Sequence, residues 1–176
     1  MPSAFGHAVA AVALASASPR IQFGARTAVI GALSAIVPDI DVLAFTFDIA
    51  YDHPFGHRGF THSLVFAAGW SAMMLLPFER ARRNSWLWLC FFLCTASHPL
   101  LDMCTNGGLG CALFAPFSNE RLFFPWRPIA VSPVDIHSFF GERGLGVLKS
   151  EALWIGLPSM AIFMAARLLK RRSARH

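Results

Sequence analysis

Long apolar stretches are the feature that most constrains how this chain can fold. Roughly 20 mainly apolar residues cross a bilayer as an α-helix, and four stretches come close to that length: 24–47, 62–78, 86–104 and 152–169. A fifth, 4–17, is shorter and rich in alanine. Because 55% of the 176 residues are apolar and only 14% are charged, the composition is that of an integral membrane protein. We predict an all-α polytopic bundle of about five transmembrane helices.

We expect a single membrane-embedded domain, 1–176, because the chain contains no internal repeat and no low-complexity linker. The run "AVAAVALASA" is similar to the core and cleavage site of a signal peptide, but no Lys or Arg precedes Arg20. Signal peptides begin with a positively charged region. We therefore expect residues 1–17 to be retained, with cleavage, which would remove His7, as the alternative.

The basic residues are concentrated in alternate connections between the apolar stretches. Cytoplasmic loops are enriched in Lys and Arg, so this distribution places the N-terminus outside and the C-terminus in the cytoplasm. Membrane orientation accounts for the net charge of +5, and we expect no nucleic-acid binding. The ten residues are Arg20, Arg26, Arg80, Arg82, Arg83, Arg167, Lys170, Arg171, Arg172 and Arg175.

A set of ionisable side chains collects at the predicted outer ends of these helices. A scattered set would place half of its members at the cytoplasmic ends, and none of these falls there. Ionisable groups in or beside membrane spans are costly and usually mark a functional site. The residues are His7, Asp39, Asp41, His57, Arg58, His62, His98 and Asp102.

The spacing and chemistry of these side chains suit metal binding. His98 and Asp102 are four residues apart, which places both on one face of a helix. Imidazole and carboxylate without thiolate favour zinc, manganese or iron, and seven such groups exceed the three or four ligands of one catalytic zinc. We therefore predict an outer-face metal site of two or more ions, most simply zinc. The structural alternative is a set of interfacial histidines, turn-forming aspartates and polar contacts between helices.

Two residues are candidates for catalysis as well. Paired metal ions lower the pKa of bound water to about 7 and hold the attacking and leaving oxygens of a phosphoryl group. Arg58 offers a permanent, forked cation that suits phosphate, and Asp41 of "PDID" is a candidate proton acceptor. Phosphoester hydrolysis is therefore predicted. Amidase or peptidase chemistry stays open, because metal-bound hydroxide also attacks carbonyl carbon.

Two connections carry further expectations. Residues 105–150 contain turn-forming Pro, Gly and Asn together with aromatic residues, which predicts a loop lying on the membrane surface. Asp135 and His137 in this loop are expected to be solvated. In the connection before the third span, Thr61 is expected to cap the following helix and to place His62 in its first turn.

The combination of His7, "PDID", "GHRGFTHS", "SHPLLD" followed by "TNGG", and "PFSNERLFFPWRPI" resembles the membrane-bound, predicted metal-dependent hydrolases of bacterial and archaeal inner membranes. The resemblance covers most of the chain. It implies a small multi-helix hydrolase in which the seven His and Asp residues named above bind metal. The chain is more remotely similar to the zinc-dependent phospholipase C and P1 nuclease group, which also contains a His-x3-Asp pair. That similarity implies cleavage of a phosphoester.

The expected function is metal-dependent hydrolysis of a phosphoester in a lipid or lipid-linked substrate that enters from the bilayer of the cytoplasmic membrane. A membrane metal transporter or metal sensor that uses the same ligands is the alternative. Transport sites usually lie near the bilayer midplane, whereas these residues gather at one edge, so the enzyme is preferred. The identity and number of the ions, the scissile bond and the oligomeric state are left open by the sequence.

Overall fold

The structure is a computed structural model that describes residues 1–18, 20–21, 23–76, 85–133 and 136–173, without the side chains of Ile136, His137 and Ser173. Several residues used in the sequence predictions lie outside this description. They are Arg80, Arg82, Arg83, Asp135 and Arg175, together with the side chain of His137.

The described residues form helices and no strand, which confirms the all-α prediction. A 3-10 helix, Val37–Phe47, continues α2, and a short π-helical segment, Ala152–Gly156, joins α6 to α7. Two isolated bridges are the only strand-like pairings among the described residues. The α-helices are α1 (Ala4–Ala17), α2 (Ala25–Ile36), α3 (Leu64–Met74), α4 (Ser85–Met103), α5 (Ile136–Phe139), α6 (Glu142–Glu151) and α7 (Leu157–Ser173).

Three of the described helical stretches are long and apolar enough to cross a membrane: Ala25–Phe47, Ser85–Met103 and Glu142–Arg172. The remaining apolar helices, α1 and α3, are shorter. Leu157, Met160 and Leu169 of α7 keep more than half of their surface exposed, as expected for side chains that contact lipid. Transmembrane helices are thus present, whereas the predicted number of about five stays a prediction.

Small side chains allow the helices of the bundle to approach closely. Helix α1 packs against α2, α4 and α7, and α4 also packs against α2 and α3. Ala11, Ala15, Ala35 and Cys94 are fully buried in this core together with Phe91. Small residues drive helix association in membranes because they bring backbones into contact. The three helices α1, α2 and α4 therefore form the rigid support for the polar cluster described below.

Serine residues begin two of these helices. The hydroxyl of Ser3 accepts a hydrogen bond from the backbone N–H of Gly6 at α1, and that of Ser63 accepts one from Phe66 at α3. Such N-caps satisfy a backbone donor that has no partner inside the helix. The prediction that Thr61 caps α3 is wrong, because its hydroxyl donates to a carboxylate in the polar cluster instead.

The connection 105–150 is only partly a loop. Residues 142–151 form α6, so the last helical stretch runs from Glu142 to Arg172 over 31 residues and is about 46 Å long at 1.5 Å per residue. Glu151, at the end of α6, is buried and accepts hydrogen bonds from the backbone N–H and the hydroxyl of Ser3. This carboxylate therefore fastens the last helix to the start of α1.

Candidate metal centre

Four side chains of metal-ligating type meet in one buried cluster, called here the four-ligand group: Asp39, His62, His98 and Asp102. Asp39 lies near the start of the 3-10 helix, His62 precedes α3, and the other two lie in the last turns of α4. Nε2 of His98 is 3.3 Å from Oδ1 of Asp39 and 3.0 Å from Nε2 of His62. Nε2 of His62 is 3.7 Å from Oδ1 of Asp39 and 3.4 Å from Oδ2 of Asp102.

These separations fit one tetrahedral ion. Ligand atoms about 2.0–2.1 Å from a zinc ion, in tetrahedral directions, lie about 3.3 Å from one another. Five of the six separations within the group run from 3.0 Å to the 4.0 Å between His98 and Asp102, and all four ligand atoms lie within 4.8 Å of one another. Oδ1 of Asp39 and Oδ1 of Asp102 are buried and have no hydrogen-bond partner among the described residues, whereas Oδ2 of Asp102 is ion-paired with Nε of Arg58 at 2.9 Å. Buried carboxylate oxygens need such partners, and a metal cation would supply one for the two Oδ1 atoms.

Hydrogen-bond acceptors behind the group orient its two imidazoles. Nδ1 of His98 is 2.6 Å from the backbone carbonyl oxygen of Ala35. Nδ1 of His62 is 3.0 Å from Oδ2 of Asp41. An acceptor at Nδ1 holds the ring proton there and leaves the lone pair on Nε2, which is how metal-binding histidines are usually held. Both Nε2 atoms point into the four-ligand group.

Asp41, His57 and His62 form a second group of ligand-type atoms that shares His62 with the first. Oδ1 of Asp41 bonds Nδ1 of His57 at 2.6 Å. Its Oδ2 accepts from the backbone N–H of Arg58 at 3.0 Å and from the hydroxyl of Thr61 at 2.6 Å. Because a carboxylate has about four lone-pair positions, these donors leave little room for an ion. The contacts favour an orienting role for Asp41.

His7 reaches the four-ligand group from α1. Its ring stacks on that of His98 with the centroids 3.7 Å apart, and its Nε2 lies 3.4 Å from Oδ1 of Asp102. Both ring nitrogens of His7 are buried and have no hydrogen-bond partner among the described residues. This histidine is therefore placed either to add a ligand or to position Asp102.

Arg58 is buried beside the group in a strained backbone conformation. Its φ of 61° lies in the left-handed region, which costs a non-glycine residue about 1–3 kcal/mol. Hydrogen bonds from its N–H to Asp41 and from Ala112 N–H to its carbonyl hold that conformation. The guanidinium contacts Oδ2 of Asp102 at 2.9 Å and Thr105 Oγ1 at 3.1 Å. Burial lowers the pKa of Arg58, but the acidic groups around the guanidinium, Asp102 foremost, together outweigh burial and hold that pKa above its ordinary value.

The loop that carries His57 is held by a second arginine. Arg121 donates to the backbone carbonyls of His57 at 2.9 Å, Tyr51 at 3.1 Å and His53 at 3.0 Å. A Cβ added at Gly59 would lie 2.2 Å from the carbonyl oxygen of Pro54, so the loop is too tightly folded for a larger residue there. Together these contacts fix the direction from which His57 approaches Asp41.

All eight predicted site residues lie in or against the four-ligand group, including the two proposed to act in catalysis. Their roles as ligands or catalytic residues stay predictions. The supporting contacts of Thr61, Thr105 and Arg121 were not predicted, although the three residues lie inside "GHRGFTHS", "TNGG" and "PFSNERLFFPWRPI". Their position inside these motifs was the one sign in the sequence that they support the site, since the positions of backbone carbonyls cannot be read from a sequence.

The fold and the cluster define a helical membrane protein with a buried site of histidines and aspartates. A family model described as YdjM inner membrane protein matches residues 1–174, and the chain belongs to that family. Inner membrane protein YbcI of Escherichia coli (strain K12) is 40% identical over 146 residues, which cover 82% of this chain and 81% of that protein. No solved structure matches the chain. The family and the candidate spans support an inner-membrane location.

Proposed function

We propose that this protein is an inner-membrane, metal-dependent hydrolase that cleaves a phosphoester in a lipid or lipid-linked substrate. One observation carries the proposal: the four-ligand group is assembled from distant segments, is almost entirely buried, and leaves Oδ1 of each aspartate without a hydrogen-bond partner among the described residues. Such an arrangement is costly in a membrane unless it has a function. Zinc is the preferred ion, with manganese or iron as alternatives.

The proposed ligands of one ion are Asp39, His62, His98 and Asp102. A bound metal of this type supplies an acidified water and polarises a phosphoryl oxygen. The separations described above are those of one tetrahedral ion, whereas the sequence predicted two or more. One ion agrees better with the hydrogen bonds that occupy Asp41.

The remaining residues are assigned to proton transfer and charge stabilisation. Nδ1 of His57 is bonded to Asp41, which leaves Nε2 as the ring atom able to accept a proton from water. A histidine backed by a carboxylate is a common general base. Arg58, held beside Asp102, would stabilise negative charge that develops on phosphate oxygens.

The test is elemental analysis of the purified protein combined with hydrolysis of short-chain phosphatidic acid and of bis(p-nitrophenyl) phosphate. We expect at least one transition metal per chain and measurable turnover. His98→Ala should lose most of the metal and more than about 100-fold of the activity, since it removes a ligand. His53→Ala is the matched control, because the His53 side chain is exposed and its one hydrogen bond to a described residue is accepted from the backbone N–H of Phe55 in the same loop.

Equal, near-zero metal in the wild type and in His98→Ala would overturn the metal site. Metal bound without turnover, together with uptake of that metal into proteoliposomes, would favour the transporter. Normal metal content in His98→Ala with lost activity would show that His98 is not a ligand.

A further inference from the structure

A cavity of about 370 Å³ adjoins the four-ligand group. His57 and Arg58 line it, and the same residues contact Asp41 and Asp102 on their other sides. A ligand in this cavity would therefore touch the side chains that surround the proposed metal ion. The cavity is separate from the apolar grooves along α1 and α7, whose described linings share no residue with it.

The described lining of this cavity contains two arginines and several other polar side chains beside its apolar surface. Its polar side chains are those of Tyr51, His57, Arg58, Ser132, Ser138 and Arg143. Arg58 carries a permanent charge, and one of its hydrogen bonds, from NH1 to the carbonyl of Gly107 at 3.0 Å, holds the guanidinium in the wall. Asp102 balances the charge of Arg58 from 2.9 Å away, so the excess positive charge at this cavity comes from Arg143, and positive charge lining a small cavity attracts anions.

Arg143 is available for a ligand. It lies in the first turn of α6, is exposed, and has no hydrogen bond or ion pair to any described residue. Planar guanidinium groups bind phosphate through paired donors. Arg58 offers the fixed side of the cavity and Arg143 the side that can close on a bound anion.

Glycine at position 108 keeps the cavity open at its inner wall. Gly108 has a φ of +87°, and a Cβ there would lie 2.6 Å from NH1 of Arg58 and 2.8 Å from the hydroxyl of Tyr51. A side chain would therefore displace both polar groups. A volume of about 370 Å³ lies near the lower end of ligand pockets, about 300–1,000 Å³. It accommodates a small headgroup rather than a whole lipid.

We propose that this cavity binds a phosphate group between Arg58 and Arg143, and that Arg143 is a substrate-binding residue. The proposal rests on the proposed function only in naming that phosphate as part of the substrate. A phosphate on a lipid and free phosphate would be bound by the same guanidinium groups. A small phosphate-bearing headgroup would occupy the cavity, while its acyl chains stay in the bilayer.

The test measures equilibrium binding of inorganic phosphate and of short-chain phosphatidic acid to the purified full-length protein, with metal content determined in parallel. Arg143→Gln should weaken the binding of both by about tenfold, the loss of one charge-assisted contact, while metal content stays unchanged. Arg143→Lys should recover part of the affinity. Arg127→Gln is the control, since Arg127 is exposed and does not line the cavity.

Wild-type protein that binds neither inorganic phosphate nor phosphatidic acid, or binding that is equal in wild type and Arg143→Gln, would overturn the proposal. If only phosphatidic acid binds and Arg143→Gln weakens it, the ligand is the headgroup rather than free phosphate. If both bind and no hydrolysis occurs, the cavity stands and the proposed enzyme fails. If Arg143→Gln hydrolyses the substrate with an unchanged KM, the proposed enzyme stands and the proposed role of Arg143 in substrate binding fails.

Discussion

Asp41 is the residue that decides whether the site holds one ion or two. Its carboxylate accepts hydrogen bonds from His57, Arg58 and Thr61 and lies 3.0 Å from Nδ1 of His62. Asp41→Asn retains the size of the side chain but cannot accept from all four groups. If Asp41 orients His62, we expect the metal stoichiometry to stay at one ion per chain while the affinity falls by about 10- to 100-fold, as for other outer partners of metal ligands.

Chelator competition and elemental analysis measure affinity and stoichiometry separately in the same Asp41→Asn preparation. A fall from two ions to one would contradict the orienting role and support the two-ion site predicted from sequence. Asp52→Asn is the matched control, because Asp52 is an exposed carboxylate in the neighbouring loop.

Residue type and spacing predicted which residues belong to the cluster, but not which of them are placed as metal ligands and which as orienting residues. Membrane burial makes His and Asp conspicuous wherever they occur, so His7, His98 and Asp102 were identified without any contact information. The distinction between a ligand and an orienting residue depends on which atoms face each other. Asp41 and Asp39 are two positions apart. Asp41 nevertheless faces four donors, whereas Asp39 faces two imidazoles.

The loop before α3 is an element whose shape depends on Arg121. This side chain bridges three carbonyls of the loop, and hydrogen bonds to a charged donor contribute about 1.5–3 kcal/mol each when buried. Because Arg121 is only partly buried, we expect Arg121→Gln to cost about 2 kcal/mol in total. The loss should appear as a Tm lower by about 4–8 °C and as weaker metal binding.

Thermal unfolding in detergent and zinc competition would be measured on Arg121→Gln beside Arg127→Gln, which removes an exposed arginine from the same connection. Unchanged metal affinity in Arg121→Gln, despite a lower Tm, would show that the loop does not position the site. An unchanged Tm would show that the three contacts do not stabilise the protein.

Hydropathy predicted the position of helices that are apolar along their length. The predicted stretches 4–17 and 86–104 agree with α1 and α4 within one residue. Helix α6 was not predicted, because the glycines and charged residues of this segment are typical of turns. Its buried positions, Gly144, Val147 and Glu151, nevertheless recur at intervals of three and four, which is the period of a helix face.

At the scale of the whole molecule, the positions of the basic residues predict how the protein is oriented in the membrane. The polar cluster lies beside the N-terminus of α1 and the C-terminus of α4, so one end of the bundle carries the site. The last turn of α7 carries Lys170, Arg171 and Arg172, and Lys and Arg favour the cytoplasmic side. We therefore expect the site to face away from the cytoplasm.

Cysteines at two exposed positions would show which end of the bundle faces the cytoplasm. Glu120 is next to Arg121 at the end that carries the site, and Arg171 lies in the last turn of α7. In a background with the four native cysteines replaced, Glu120→Cys should react with a membrane-impermeant maleimide in spheroplasts. Arg171→Cys should react only after lysis. The reverse pattern would place the site at the cytoplasmic face. A lipid phosphate would then have to reach Arg143 from the cytoplasmic leaflet, and the basic end of α7 would lie outside, against the preference of Lys and Arg for the cytoplasmic side.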